Sequence, residues 1–351
     1  NGVVQSCPSL LLEPASTNLI TYSEDFSQWT SDTNASITSN SIISPDGTQN
    51  ADKLIAGSST SRQAIKFNLT ASGDISAYVF AKKGEYTVIQ LTDASSPSAF
   101  ANFDLENGLV GSTDTYTANI ENYGNGWFKC SITYNSVGSI NSFRLSITQS
   151  STSARLVNFA GNNSDGLYIY GAQVENLSYA TSYIPNFGQS AGVTRAAETC
   201  IKENLSSTIL NPSYPFSMYA KCDVVSTNSG FAITLSNPLV GNQYFTIEYF
   251  SNLWHITSRP NGASIRVSST TAPTIGTHKV LGIFTQSDMK LYLNGSLIVS
   301  GTNNEAWNNA VNGLLLGQLR IASDTGTRNT IREAQFFKTE LTNAQAVTLT
   351  T

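Results

Sequence analysis

Histidines and paired carboxylates are the residues from which most catalytic sites near neutral pH are built. The chain has two histidines: His255 lies inside an alternating apolar and polar run, and His278 follows a turn-like segment. No Gly-x-Ser-x-Gly motif accompanies either one. No Glu-x-Asp-x-x-Glu run is present in the C-terminal half, where Glu248, Asp288, Glu333 and Glu340 each stand alone. We therefore predict that the chain is not an enzyme, unless carboxylates from distant segments converge in a groove.

Sugar recognition is the other chemistry that the residue types support. A sugar presents C–H faces to aromatic rings and hydroxyls to amides and carboxylates. Trp307 and Asn308 lie in a polar loop, residues 303–309, whose sequence shows no alternation that would bury the ring. Tyr123 and Asn125 lie in a second polar loop. The sequence predicts a carbohydrate-binding site at these four residues, with a ring that only plugs the edge of a sandwich as the alternative.

The other three tryptophans are predicted to be structural. Trp127 and Trp254 lie in alternating strands, where packing in a core is the better interpretation. Trp29 follows Phe26 at the i+3 position in a polar setting, which favours a loop that pins itself to a core. A Trp29 ring that stacks on a ligand is the alternative.

The four cysteines show no Cys-x-x-Cys spacing and therefore predict no metal framework. Alternation places Cys130 and Cys222 on apolar strand faces. We expect buried thiols there, in preference to a disulfide between Cys200 and Cys222.

The elements that would position these residues are strands. The pair Asn294-Gly295 lies between two short alternating runs, and Asn-Gly supplies the positive φ angles of a type I′ hairpin. Short alternating runs recur along the chain, among them residues 75–81, 126–134, 143–147 and 166–175, and only residues 339–345 resemble a helical turn. This spacing predicts an all-β fold of antiparallel β-sandwiches.

The composition of the chain limits the classes of partner that it is expected to bind. Charged residues make up 12% of the 351 residues and the formal net charge is −5, with no cluster of basic residues, which disfavours nucleic-acid binding. No apolar run approaches the roughly 18 residues of a membrane span, so no membrane insertion is expected. Because the chain starts at Asn1 and not at Met, we expect either a removed segment or a longer parent chain.

A set of motifs in the first half resembles a known domain type. The motifs, in order, are residues 12–19 (LEPASTNL), 25–29 (DFSQW), 45–47 (PDG), 51–54 (ADKL), 125–130 (NGWFKC), 170–175 (YGAQVE) and 180–185 (ATSYIP). Over residues 10–187 the chain resembles the jelly-roll domain of bacteriophage tail-fibre and spike proteins, which is itself similar to carbohydrate-binding modules. The resemblance implies a structural Ca²⁺ between the first and last strands, for which Glu13, Asp25 and Glu175 offer hard oxygen ligands.

The second half is similar to the concanavalin A-like, laminin-G-like sandwich. The shared features are residues 280–284 (VLGIF), the hairpin at 291–295 (LYLNG), residues 314–317 (LLLG) and the ending at 341–345 (LTNAQ). We predict a jelly roll over residues 1–187, a linker over residues 188–203 and a concanavalin A-like domain over residues 204–351.

Together these resemblances imply a virion surface protein of a bacteriophage, such as a tail fibre, head spike or related appendage. Its expected partners are a host-surface glycan or other virion subunits, its expected state is a homotrimer, and its expected location is the virion exterior. The alternative is a secreted, extracellular bacterial carbohydrate-binding or adhesion protein, or the non-catalytic part of a polysaccharide-active enzyme. A structural component without a ligand also stays open.

Overall fold

The computed structural model describes residues 10–93, 99–198, 200–202, 214–224, 227, 229–237, 243–261, 263–306, 311, 313–316 and 329–351. Within these residues the protein is built almost entirely of antiparallel strands, which confirms the predicted all-β class. In the same residues no helix is long and apolar enough to cross a membrane.

The N-terminal part of the chain holds thirteen described strands and a 3₁₀ helix, Phe26–Gln28. The strands are β1 (Leu10–Leu12), β2 (Ser16–Asn18), β3 (Thr30–Ser31), β4 (Ser36–Ile42), β5 (Ala51–Ile55), β6 (Gln63–Lys82), β7 (Val88–Asp93), β8 (Phe100–Asp104), β9 (Leu109–Asp114), β10 (Thr117–Gly124), β11 (Trp127–Thr148), β12 (Gly166–Glu175) and β13 (Val193–Arg195).

The C-terminal part holds eleven described strands and one α-helix. They are β14 (Cys200–Lys202), β15 (Phe216–Val224), β16 (Ser229–Ser236), β17 (Tyr244–Phe250), β18 (Leu253–Arg259), β19 (Ile265–Ser268), β20 (Gly276–Phe284), β21 (Asp288–Leu293), β22 (Ser296–Thr302), β23 (Gly313–Leu316), β24 (Asn329–Phe337) and α1 (Asn343–Thr350).

The chain divides into two compact units. The first sandwich is Ser16–Arg195, and the second sandwich is Ala196–Thr351 together with the N-terminal segment that ends at Ala15. The sequence motifs predict that this segment belongs to the first domain. It lies in the second because β1 pairs with β24, with Leu10 opposite Ile331. The chain therefore passes between the two units twice.

Two long strands organise the first sandwich. β6 and β11 pair from Trp127 opposite Lys82 to Ile147 opposite Gln63, with register shifts between Ser136 and Ser142. β12 and β10 flank one half of this pair, and β3 and β7 flank the other half. The two halves contribute to one apolar core, which includes Leu54, Ile65, Val79, Phe103, Ile132 and Leu145.

The second sandwich contains two six-stranded sheets. Their strand orders are β1-β24-β15-β20-β21-β22 and β14-β23-β16-β17-β18-β19. Phenylalanines fill the core of this sandwich: the Phe216 ring stacks on Phe284 at 4.8 Å between centroids and meets Phe245 edge-on at 5.0 Å. The buried free thiol of Cys222 lies in the same core, as predicted.

The predicted hairpin is confirmed. β21 and β22 are joined by Asn294 and Gly295, whose φ angles are +47° and +83°, as a type I′ turn requires. The helix begins later than predicted, at Asn343, because Thr342 is its N-cap and forms a capping box with Gln345.

Candidate functional site

The residues predicted to bind carbohydrate are only partly described. Trp307 and Asn308 lie outside the described residues, so this half of the prediction stays a prediction. Tyr123 is 47% exposed, and its ring meets Phe80 edge-on at 4.8 Å between centroids. Asn125 has a φ of +52°, and its carbonyl accepts a hydrogen bond from the Lys82 ammonium at 2.7 Å. The β10–β11 turn thus presents one half-exposed ring.

The predicted structural role of three tryptophans is confirmed. Trp127 and Trp254 are buried, and Trp29 is buried against Phe26, Phe67 and Phe143. The Trp29 indole N–H donates to the carbonyl of Tyr22 at 2.9 Å. This bond closes the loop from residue 22 to residue 29 onto the core.

The three residues predicted to hold Ca²⁺ do not form a metal site. Among the described residues, no group of three or more His, Cys, Asp or Glu side chains could hold an ion. Glu13 belongs to the second sandwich, where its backbone pairs with Glu198, whereas Asp25 and Glu175 belong to the first.

Hydrogen-bond donors already surround the Glu175 carboxylate. It is fully buried and accepts bonds from the hydroxyls of Ser16, Ser76 and Thr181 and from the backbone N–H of Thr181. The Asp25 carboxylate caps the 3₁₀ helix by accepting from the Ser27 backbone N–H at 3.1 Å. These carboxylates satisfy protein donors, so this donor set does not fit a metal ion.

Carboxylates do converge elsewhere in the first sandwich, in a cleft of about 430 Å³. We call it the acidic cleft. Its lining comes from the closed loop before β3, from β4, from the start of β5 and from the segment after β12. The lining residues are Tyr22, Glu24, Asp25, Ser27, Ser39, Asn40, Asn50, Asp52, Asn186 and Phe187.

Glu24 is held at one side of the acidic cleft by three donors. Its carboxylate accepts from the hydroxyls of Tyr170 and Tyr183, at 3.2 and 3.1 Å, and from the side-chain amide of Asn50 at 3.1 Å. Burial raises the pKa of Glu24, against the effect of these donors, and the nearby charge of Asp46 raises it further. The hydroxyl of Tyr170 also reaches Asp46, at 3.0 Å.

Asp46 anchors the turn behind Glu24. Burial raises the pKa of Asp46, but hydrogen bonds from Ser44, Thr48 and Asn50 together outweigh it and hold that pKa below its usual range. Asp46 is therefore an anion at neutral pH, linked through the Asn50 amide to Glu24.

Asp52 forms the floor of the acidic cleft. Its side chain is 1% exposed, and its two oxygens accept from the backbone N–H groups of Phe26, at 3.0 Å, and Asn40, at 2.9 Å. Burial raises the pKa of Asp52 to about 6, although the two N–H donors lower it, and the charge of Asp25 adds to the increase.

Phe187 stands at the rim of the acidic cleft with 72% of its surface exposed. Its backbone is held by the bridge to Tyr22. Asn186 fixes the turn, because its side-chain oxygen accepts from the backbone N–H groups of Gly188 and Gln189, at 3.2 and 2.8 Å. Gly188 has a φ of +114°, and a Cβ there would lie 3.4 Å from the Tyr22 ring. The turn therefore keeps an exposed ring next to polar groups.

The acidic cleft cannot be recognised from the sequence, although several of its residues lie in or next to the motifs of the first half. Asp25 and Asp52 belong to the quoted motifs at 25–29 and 51–54. Phe187 and Asn186 follow the quoted motif at 180–185. The signal was the recurrence of Asp and Asn beside turn residues in separate motifs, and only the fold brings them together.

No protein-family model and no curated protein matches the chain. Several solved structures are similar to part of it. The carbohydrate-binding module CBM40 of the Ruminococcus gnavus IT-sialidase, bound to α2,3-sialyllactose, is 14% identical over 41% of this chain and 87% of its own, with a TM-score of 0.36.

Two further structures are similar at the same level. One is a structure of botulinum neurotoxin type C, a toxin whose cell entry depends on interaction with two ganglioside molecules. It is 20% identical over 44% of this chain and 39% of its own, with a TM-score of 0.35. The heptameric SAP-like pentraxin of Limulus polyphemus is 15% identical over 43% of this chain and 81% of its own, with a TM-score of 0.33. Likeness at this level shows neither a family nor a ligand for this chain.

Proposed function

We propose that the chain is a non-enzymatic surface protein that binds glycans in the acidic cleft. The observation that carries the proposal is the exposed ring of Phe187 beside the carboxylate and amide groups of that cleft. A sugar stacks its C–H face on such a ring and donates its hydroxyls to fixed acceptors. The volume of about 430 Å³ lies in the range of small-ligand sites, roughly 300–1,000 Å³.

Binding is better supported than hydrolysis. A glycoside hydrolase needs one carboxylic acid that faces the leaving group and a second carboxylate that acts as base or nucleophile. Both oxygens of Asp52 accept backbone N–H bonds, and both oxygens of Glu24 accept side-chain bonds. Such carboxylates serve as fixed acceptors, which is the role that recognition requires.

The finer proposal is that this glycan-binding chain belongs to the exterior of a bacteriophage virion, as a homotrimeric fibre or spike component. The ordered motifs of the first half support it, from residues 12–19 to residues 180–185. A polar surface with few charges suits either this role or that of a secreted adhesion protein. Host-surface glycans are the proposed partners in the first case, beside other virion subunits.

The experiment is a glycan array and a whole-cell binding assay on the purified chain, with Phe187→Ala as the test variant. We expect Phe187→Ala to weaken glycan binding at least about tenfold, because a stacking ring in a small site contributes over 1 kcal/mol. Leu109→Ala is the matched control, since Leu109 is 60% exposed on β9 of the same sandwich and does not line the cleft.

Trp307→Ala and Tyr123→Ala separate the cleft from the loops predicted from sequence. Loss of binding in either of these variants, with Phe187→Ala unaffected, would place the site in a loop and contradict the cleft. A folded chain that binds no glycan and no cell would contradict glycan binding itself and favour a role in virion assembly.

A further inference from the structure

The charges around the acidic cleft have one sign. Glu24, Asp25 and Asp52 are among its lining residues, and Asp46 lies directly behind Glu24. Among the described residues that line the cleft, none is Lys, Arg or His. A ligand in this cleft therefore meets negative charge that no basic side chain of the lining offsets.

The basic residue that neighbours Asp52 in sequence is committed elsewhere. Lys53 follows Asp52 in β5, and successive side chains of a strand point to opposite faces. The Lys53 ammonium pairs with Glu85 at 2.8 Å and donates to the carbonyl of Ser164 at 3.0 Å. Lys53 therefore does not neutralise the cleft.

Two side-chain amides of the cleft lining already donate hydrogen bonds to acceptors of the protein. The side-chain amide N–H groups of Asn50 donate to Glu24 and Asp46, and that of Asn186 donates to the carbonyl of Gln189 at 3.0 Å. The Asn50 side-chain oxygen is buried and accepts no hydrogen bond from the protein. The Asn50 amide therefore has no N–H group left for a ligand, and its oxygen is too deeply buried for a ligand in the cleft to reach.

We propose that the acidic cleft selects sugars that carry an ammonium group, accepts neutral sugars more weakly, and rejects sugars that carry a carboxylate or sulfate. This inference rests on the proposed function and names its ligand class. An amino sugar supplies both the positive charge that the cleft lining lacks and ammonium N–H groups that can donate to its carboxylates. A sugar carboxylate supplies neither, and it would meet three carboxylates of like charge.

The test compares immobilised sugars that share one ring stereochemistry and differ in one substituent: glucose, glucosamine with an ammonium group at C2 and glucuronic acid with a carboxylate at C6, and the same three forms of galactose. We expect the amino member of each triplet to bind the full chain at least about tenfold more tightly than the acidic member at pH 7.5 and low salt, because a single charge pair in such an environment is worth a factor of this size. The preference should shrink in 0.5 M NaCl, which screens charge.

Asp25→Asn tests the cause of the preference. Asn is as good a cap as Asp, so the 3₁₀ helix should persist, and the ratio of amino to acidic binding should fall about threefold or more. Asp114→Asn is the matched control. Asp114 is an exposed carboxylate of β9 outside the cleft, and its substitution changes the net charge by the same amount.

The outcomes separate this inference from the proposed function. Binding in which acidic sugars equal or exceed amino sugars overturns the inference and leaves glycan binding intact. An equal change of the ratio in Asp25→Asn and Asp114→Asn would trace it to overall charge and also overturn the inference. If the chain binds no sugar of any kind, on these surfaces or on the array, the result contradicts the proposed function instead.

Discussion

Among single residues, Asp52 combines deep burial with a negative charge at neutral pH. Folding raises its pKa from an ordinary value near 4 to about 6, so the folded state binds more protons than the unfolded state between those values. The Asp52 contribution to the free energy of unfolding is therefore most favourable below about pH 4 and falls as the pH rises to 6. The groups that face Asp52 are the backbone N–H groups of Phe26 and Asn40 and the carboxylate of Asp25.

The difference in the free energy of unfolding between the wild type and Asp52→Asn should report this titration. Asn turns its N–H₂ group toward one of two backbone donors, so we expect the variant to be less stable than the wild type at pH 4.5. The deficit should shrink by about 1–2 kcal/mol by pH 7.5, because Asn does not ionise. Urea denaturation of both proteins across this pH range measures the deficit. The titration of other groups, such as Glu24 and Glu85, is common to both proteins and cancels when their free energies of unfolding are subtracted. A deficit that stays constant with pH would mean that Asp52 titrates in its ordinary range.

Burial of single side chains could be predicted from sequence more readily than the site. The alternation around Trp127, Cys130 and Trp254 was enough, because the pattern of one strand decides which face a side chain takes. Asp52 and Phe187 carry no such local signal. They meet because the loop before β3 closes on Trp29 and the segment after β12 returns to Tyr22, and both events depend on the whole sandwich.

At the scale of elements, the Asn294-Gly295 turn shows why a short sequence signal can be reliable. The positive φ of Asn294 is a property of two residues, and its side-chain oxygen accepts from the Lys279 backbone N–H at 2.9 Å. We expect Asn294→Ala to destabilise the second sandwich more than Asn294→Gly does, by about 1 kcal/mol. Both variants remove the amide, but only Ala opposes the positive φ.

Chemical denaturation of the two hairpin variants beside the wild type measures the difference. If Ala and Gly at position 294 were equally destabilising, the lost side-chain bonds would account for the whole effect and the φ argument would be wrong.

The long strands of the first sandwich could not be predicted in full. The sequence indicated separate strands at 75–81, 126–134 and 143–147, whereas β6 runs over Gln63–Lys82 and β11 over Trp127–Thr148. The reason is the pair of register shifts between Ser136 and Ser142. Each bulge changes which side chains face the core, so alternation breaks while backbone pairing continues.

At the scale of the whole molecule, the N-terminal segment shows that position in sequence does not decide to which unit a residue belongs. The predicted linker, residues 188–203, contains β13, which pairs with β2 in the first sandwich, and β14, which pairs with β23 in the second. The unit to which β1 belongs could not be predicted either, because a leucine triplet with Pro14 two residues later fits the edge of either sandwich. The pairing partner that decides it, β24, lies more than 300 residues away in the chain.

Deletion of residues 1–15 tests this organisation. Without β1, the edge of β24 loses its partner along Asn329, Thr330 and Ile331. Because each lost backbone hydrogen bond costs about 1 kcal/mol, we expect the second sandwich to be destabilised by about 1–3 kcal/mol. The first sandwich keeps its core and the acidic cleft, so glycan binding should be unchanged. Hydrogen exchange followed by mass spectrometry measures both units in one experiment: faster exchange is expected in β24 and β15, and unchanged exchange in β6 and β11. If the deletion instead loosened β6 and β11 and abolished binding, the segment would belong to the first sandwich, as its motif at residues 12–19 indicated.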